Sequence, residues 1–340
     1  MNISSNSSSF GPPESNLVMV MAFLVLEGFL VVVINALVIF LIIRNRLLRT
    51  VTNFCLGSLA LSDMLTGLYV IPLIITCNYP RYNYDICLAM DLGNRFLAIS
   101  TILHLLVITM ERYYTIVFSK SKSNSSLSNV ASLRILFMLW VFSLAVSLVQ
   151  LLWIRAANEG LKHRITIIYD LIVLGLLVFT PLIFMALAYT HIFCVLRKQI
   201  NKIKRSIRYI SEESKLKHEW KERRALLIYA AMIVLYITGW FNYFLLALQE
   251  DLSDNGPPSY PFWANVILLF LRLSTGIFNP ILYTFLKQDF RTARKSLKIC
   301  WFKKPSCSSN GYSRSEASFG FSSAVYKKDV ETIQFLNNHR

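Results

Sequence analysis

Seven long runs of apolar residues divide this chain, at 17–43, 52–77, 86–118, 132–154, 165–196, 225–248 and 262–286. A helix needs roughly 20 apolar residues to cross about 30 Å of hydrocarbon, and every run is longer than that. Lipid offers backbone N–H and C=O groups no partner, so only helices and closed barrels span it. Runs of this length exclude strands. The fold class follows: an all-α membrane protein, a seven-transmembrane helix bundle. Composition agrees, because 55% of the 340 residues are hydrophobic and only 16% are charged. A soluble domain of this length would carry roughly 25% charge.

The charges orient the bundle. The segments after the first, third, fifth and seventh runs (44–49, 119–134, 197–224 and 287–340) hold 28 Lys and Arg, whereas the first 16 residues and the other three loops hold four. Basic loops stay cytoplasmic, which puts the N-terminus outside and the C-terminus inside. The net charge of +16 is therefore a property of the cytoplasmic face. It is no argument for nucleic acid, since basic–aromatic interleaving and zinc-spaced cysteines are both lacking.

Residues 1–16 are rich in Ser and Asn, with no basic start and no apolar core, so a cleaved signal peptide is not expected and the first helix would serve as signal anchor. Asn2 and Asn6 head glycosylation acceptor tripeptides on the outer side. Asn124-Ser-Ser also matches, but it falls in a cytoplasmic loop and is discounted. The expected order is an extracellular N-terminus (1–16), a seven-helix domain (17–286), a short cytoplasmic membrane-surface helix (287–300) and a Ser-rich tail (301–340).

Polar residues inside membrane runs are rare and are functional candidates by default. Here they are Asn35 in the first run, Asp63 within LGSLALSDMLTG in the second, Glu111-Arg112-Tyr113 ending the third, and Asn279-Pro280-x-x-Tyr283 closing the seventh. Trp140, the pair Pro181 and Tyr189, and Trp240 mark the fourth, fifth and sixth. Any one of them alone reads as packing glue between helices. Together, one set per helix in this order, they resemble the rhodopsin-like (class A) G-protein-coupled receptors over roughly residues 17–300. The LALSD, ERY and NPILY motifs carry that resemblance, with Lys287–Arg291 similar to the start of the family's surface helix.

The resemblance implies a plasma-membrane receptor, not an enzyme, for a small extracellular ligand. It implies coupling to a heterotrimeric G protein through outward movement of helix 6. Arg112, beside Glu111 and Tyr113, would be latched by Glu222 at the start of helix 6. Once freed, Arg112 would help Tyr189 and Tyr283 form a cytoplasmic cavity. A surface pair would be worth about 0–1 kcal/mol, and breaking a partly buried one costs several. No cofactor is implied beyond a Na⁺ ion, the one metal expected, on the oxygens of Asp63, Thr101 and Asn279 with Asn35 nearby. A lone buried carboxylate either neutralises or finds such a cation. Thr275 and Gly276 stand where the family often has Asn and Ser, so the site is poorer in ligands. Asn279-Pro280 breaks helix 7, and polar neighbours would re-satisfy the freed backbone.

The chain also departs from the family. Cys87 stands at the outer end of helix 3, but the second outer loop, 155–164, has no cysteine to join it. Cys77 is the only other cysteine expected outside, so Cys77 and Cys87 either pair or remain two free thiols. Asn242 replaces the usual helix-6 proline two after Trp240, which implies a straighter helix. Asn94 replaces the aspartate of amine receptors, and Leu273 replaces the lysine of opsins. The ligand is left open: the short second loop is loosely similar to melanocortin and lipid receptors, and an adenosine-like reading stands no better. The pocket wall would comprise Asp91, Asn94 and Arg95, with Trp240, Tyr243, Phe244, Asn265, Leu269 and Arg272. Asp91 and Arg95 are four apart, which is one helical turn.

Arg272 lies seven residues before Asn279, and Glu27 lies eight before Asn35. At 1.5 Å per residue both sit about 10–12 Å outward of those asparagines. The leading expectation is a buried pair, Glu27 with Arg272. Two others stay open: Arg272 receives an acidic ligand group, or it reaches only water and carbonyls. Inside the cell, the resemblance implies arrestin and receptor kinases acting on the serines of 305–323, a palmitoyl group on Cys300, and membrane lipid around the bundle. The rival reading is a seven-helix transporter or intramembrane enzyme. It would need inverted repeats, paired broken helices or a Ser/His set. His104 lies inside a helix, and no catalytic set accompanies it.

Overall fold

The computed structural model describes residues 14–78, 83–118, 129–154, 158–206, 211–252, 261–287 and 289–293, all within the compact unit Met1–Leu297. Seven helices are long and apolar enough to cross a membrane: α1 Ser15–Arg44, α2 Val51–Cys77, α3 Tyr84–Phe118, α4 Ala131–Leu152, α5 Gly160–Asn201, α6 Arg223–Glu250 and α7 Phe262–Leu286. No strand occurs among the described residues. Asn2, Asn6, Cys300 and the serines of 305–323 lie outside the described residues. Of the expected surface helix, 287 and 289–293 are described; 289–293 is helical and 287 is not.

The helix starts are written locally. Thr50 accepts from the Asn53 N–H ahead of α2. Asn83 accepts from the Asp85 and Ile86 N–H groups ahead of α3. Such caps satisfy donors that the first turn leaves orphaned. A third cap corrects the sequence reading of 155–164 as loop. Asn158 accepts from the Leu161 N–H, so helix begins at Glu159 and α5 stands more than a turn further out than its apolar run suggests.

The molecule is apolar outside as well as inside. Phe29, Phe40, Phe137, Met138 and Leu187 are exposed where lipid is the solvent. α3 is the central helix: 72% of its most apolar stretch is buried, against 28–44% in the others, and it packs on α2, α4, α5 and α6. Small residues let helices touch. A Cβ on Gly67 would come within 2.9 Å of the Gly28 carbonyl oxygen of α1, and one on Gly239 of α6 within 3.1 Å of the Arg272 Cα of α7.

Five spans contain a widened, π-type turn: Thr66–Val70, Tyr114–Phe118, Val173–Phe179, Ile237–Phe241 and Leu282–Leu286. Three adjoin Pro72, Pro181 and Pro280, whose missing N–H breaks the regular ladder. The one in α6 falls where Asn242 replaces the usual proline. Without a proline, α6 is still interrupted, around Trp240, and Asn242 Nδ2 donates back to the Thr238 carbonyl at 2.8 Å. Such turns recur at functional sites.

Candidate functional site

Two polar constellations occupy this apolar bundle: an outer one, toward the end that carries Cys77 and Cys87, and an inner one, toward the end that carries Arg112. The outer one starts on α3. Arg95 Nε donates to Asp91 Oδ2 at 2.9 Å across one turn. The same guanidinium makes a two-pronged pair with Asp170 of α5. Asp91 Oδ1 accepts from the Tyr243 hydroxyl of α6 at 2.5 Å. The Tyr243 ring in turn lies 4.7 Å from the Arg272 guanidinium of α7, which also covers Trp240 at 5.6 Å. Four helices are thus joined in series: α5, α3, α6, α7. Buried guanidinium–carboxylate forks are worth having only when well hydrogen-bonded, and all three nitrogens of Arg95 donate to a carboxylate.

Asp170 is the member that sequence reading missed. Asp91, Arg95, Trp240, Tyr243 and Arg272 all sit in or beside the cluster, and Phe244 is buried in the main core next to it. Asn94 is fully enclosed, and its Oδ1 accepts no hydrogen bond. Leu269 instead packs with Val20, Leu24, Val70 and Leu97. Asn265 is exposed on the outermost turns of α7 and does not line the cluster, a correction to the expected wall.

The expected Glu27–Arg272 pair does not form. Glu27 is buried and its Oε2 has no partner, while Arg272 is turned toward α6. The cause is local: Gly239 has no side chain, so α6 closes onto the Arg272 backbone and offers the arginine two aromatic faces. Matching depth puts both charges at one level but says nothing of their direction around the helix.

Between the two constellations lies the polar middle of the bundle. The Asp63 carboxylate of α2 is buried and accepts from Asn279 Nδ2 at 3.5 Å, and Asn279 Oδ1 is itself unpartnered. Thr101 is buried as well. Asn35 Nδ2 donates to the Gly276 carbonyl at 2.8 Å. His104 touches Ser100 and Ser58, and the Trp140 indole donates to the same Ser58 hydroxyl at 2.9 Å. Among the described residues, no three His, Cys, Asp or Glu converge on a metal-sized point. A buried carboxylate with open neutral oxygens beside it suits a small hard cation with oxygen ligands rather than a transition metal.

The inner constellation centres on Arg112. Its Nε lies 3.3 Å from Glu111 Oε2, its Nη2 donates to Thr52 Oγ1 of α2 at 2.8 Å, and its guanidinium lies 5.6 Å from the Tyr229 ring of α6. Thr52 closes the triangle by donating to Glu111 at 2.7 Å. The side chain of Glu222 lies outside the described residues. Thr52 and Tyr229 are ordinary residues in sequence, and nothing there singles them out. Tyr113 contacts His191 through its hydroxyl, Tyr189 accepts from Thr109 at 3.1 Å, and Tyr283 is enclosed. Cys77 and Cys87 are joined as a disulfide.

Residues 34–283 match the family model described as 7 transmembrane receptor (rhodopsin family). The histamine H2 receptor of Rattus norvegicus is 29% identical over 289 residues, covering 79% of this chain and 76% of that protein. The octopamine receptor beta-2R of Chilo suppressalis is 24% identical over 307 residues, covering 79% and 76%. The adenosine receptor A2b of Gallus gallus is 26% identical over 283 residues, covering 76% and 81%.

Proposed function

The chain belongs to the rhodopsin family of seven-transmembrane receptors, and from that premise we propose how it works as a G-protein-coupled receptor. It is a multi-pass membrane protein and a receptor rather than an enzyme. A small extracellular molecule enters between α3, α5, α6 and α7 at the Asp91–Arg95–Asp170–Tyr243–Arg272 cluster. Its arrival repositions α6, whose inner end moves away from α3 and admits the G protein. The carrying observation is the hold on Arg112, whose guanidinium meets Thr52 and Glu111 on one side and the α6 residue Tyr229 on the other. A charge held between α2, α3 and α6, beside a helix end that must move, is suited to be a switch.

The finer assignments are part of the same proposal. The plasma membrane is the site of action, N-terminus outside, with glycans on Asn2 and Asn6. The basic loops face the cytoplasm, where receptor kinases and arrestin act on the serines of 305–323 and Cys300 carries a lipid. Membrane lipid surrounds the apolar exterior. Asp63, with Asn279, Thr101 and Asn35, would hold a Na⁺ ion, which would supply a counter-charge to the buried carboxylate. In that arrangement Asn279 Oδ1 gives up its unpartnered state.

The test is nucleotide exchange on a panel of heterotrimeric G proteins in membranes carrying the full chain. Basal exchange above that of empty membranes, lost in Arg112→Ala at equal surface expression, is the expected result. Equal exchange by the variant overturns the switch. Glu222→Ala tests the remaining latch: it should raise basal exchange.

A further inference from the structure

The hydrogen-bond inventory of the outer cluster is lopsided. Every carboxylate oxygen in it is used: Asp91 Oδ1 by Tyr243, Asp91 Oδ2 by Arg95, and both oxygens of Asp170 by Arg95. Arg272 is the reverse. It carries up to five N–H donors, yet no acceptor meets it among the described residues, and its Nε is explicitly without one. Its guanidinium lies over the faces of Trp240 and Tyr243, and Asp91 is the charged group that acts on it. Glu27, the carboxylate predicted at its depth, stays apart. Asn94 stands where amine receptors place an aspartate, and it is neutral.

We infer that the ligand carries a carboxylate, and that this carboxylate pairs with Arg272. This rests on the receptor reading above and names the ligand class of that site. An amine would have to share Asp91 with Arg95 and Tyr243, which already bond its two oxygens. A carboxylate finds a planar donor fork made for two-pronged pairing. The buried Asn94 Oδ1 offers one additional acceptor for an N–H or O–H elsewhere on the ligand. The pairing also reaches the switch. An anion that draws Arg272 toward itself takes it off two aromatic rings of α6, at the height of the widened turn Ile237–Phe241. Ligand binding and the hold of α7 on α6 are then competing uses of one side chain.

The experiment uses the full-length receptor, purified in nanodiscs, and matched pairs of probes: imidazolyl-, hydroxyphenyl- and indolyl-propionates against the corresponding arylethylamines. Thermal unfolding is followed against probe concentration. At least one propionate should raise the midpoint while its amine does not, and Arg272→Gln should weaken that propionate by about tenfold or more, equivalent to 1.4 kcal/mol. If Arg272→Gln does not fold, Arg272→Lys keeps the charge, loses the fork and should show about the same loss. Asn94→Asp adds a like charge and should also weaken the propionate. Stabilisation by amines alone, by no propionate, or by a propionate that Arg272→Gln and Arg272→Lys leave unchanged overturns the inference. Basal nucleotide exchange and its loss in Arg112→Ala need no ligand, so the receptor reading stands or falls separately.

Discussion

Asn35 of α1 donates to the Gly276 carbonyl of α7 at 2.8 Å, and this carbonyl is the one that Pro280, four residues on and lacking an N–H, cannot serve. The break in α7 thus has its repair on another helix. Its backbone acceptor is buried, and an unserved buried acceptor costs about 1–3 kcal/mol. Asn35→Ala should lower the stability of the purified receptor by that amount. In a Pro280→Ala background, where the backbone at that position regains its N–H, the same change should cost clearly less. Equal losses in both backgrounds, measured by thermal unfolding, would show that the carbonyl is not what Asn35 serves.

Thr52 uses a single hydroxyl twice, accepting from Arg112 and donating to Glu111. Thr52→Val keeps the shape and removes both bonds. Hydrogen bonds to charged groups are worth about 1.5–3 kcal/mol each, but solvent at the membrane edge will recover part of that. A net loss of about 1 kcal/mol from the resting arrangement raises the active fraction about fivefold. Basal nucleotide exchange at matched surface expression should rise accordingly. Unchanged exchange would place the restraint on Arg112 elsewhere, with Tyr229 the next candidate.

The spans are legible in sequence because lipid fixes their length: the run 262–286 and α7 coincide. Depth is legible too, by counting 1.5 Å per residue. Direction around a helix is not. Glu27 and Arg272 share a level, yet the absence of a side chain at Gly239 turns the arginine to α6. Asp170 is marked locally, as a lone acid inside a membrane run, but nothing in the sequence names its partner. It is one acid in an apolar stretch, and its partner Arg95 is 75 residues away. Asn158 is the opposite case: a local capping signal is present, but apolarity alone places the start of α5 too late.

Cys77 and Cys87 close a loop with a sequence separation of 10. Tying a loop of about this size restricts the unfolded chain by roughly 2–3 kcal/mol. Cys77→Ser, Cys87→Ser and the double variant should therefore lose similar stability, with no further loss in the double. Non-reducing peptide mapping should recover the two cysteines linked. Alkylation of both without reductant would exclude the bond.

Glu27 and Arg272 give the last prediction, and its sign follows from where each side chain goes. Were they paired, removing either would strand the other, and removing both would restore stability. They are not paired. Glu27 Oε2 is buried with no donor, so Glu27→Gln replaces a carboxyl group that no neighbour serves and should leave surface expression and thermal stability unchanged or raised. Arg272→Gln gives up two cation–aromatic contacts, each worth about 0.5–2 kcal/mol depending on how dry the site is, and should lower them. Side chains that share no partner add within about 0.3–0.5 kcal/mol. The double variant should thus equal the sum of the singles. Recovery of the double above that sum would mean that the two charges find each other in the membrane after all, and the free Arg272 on which ligand pairing depends would be lost with it.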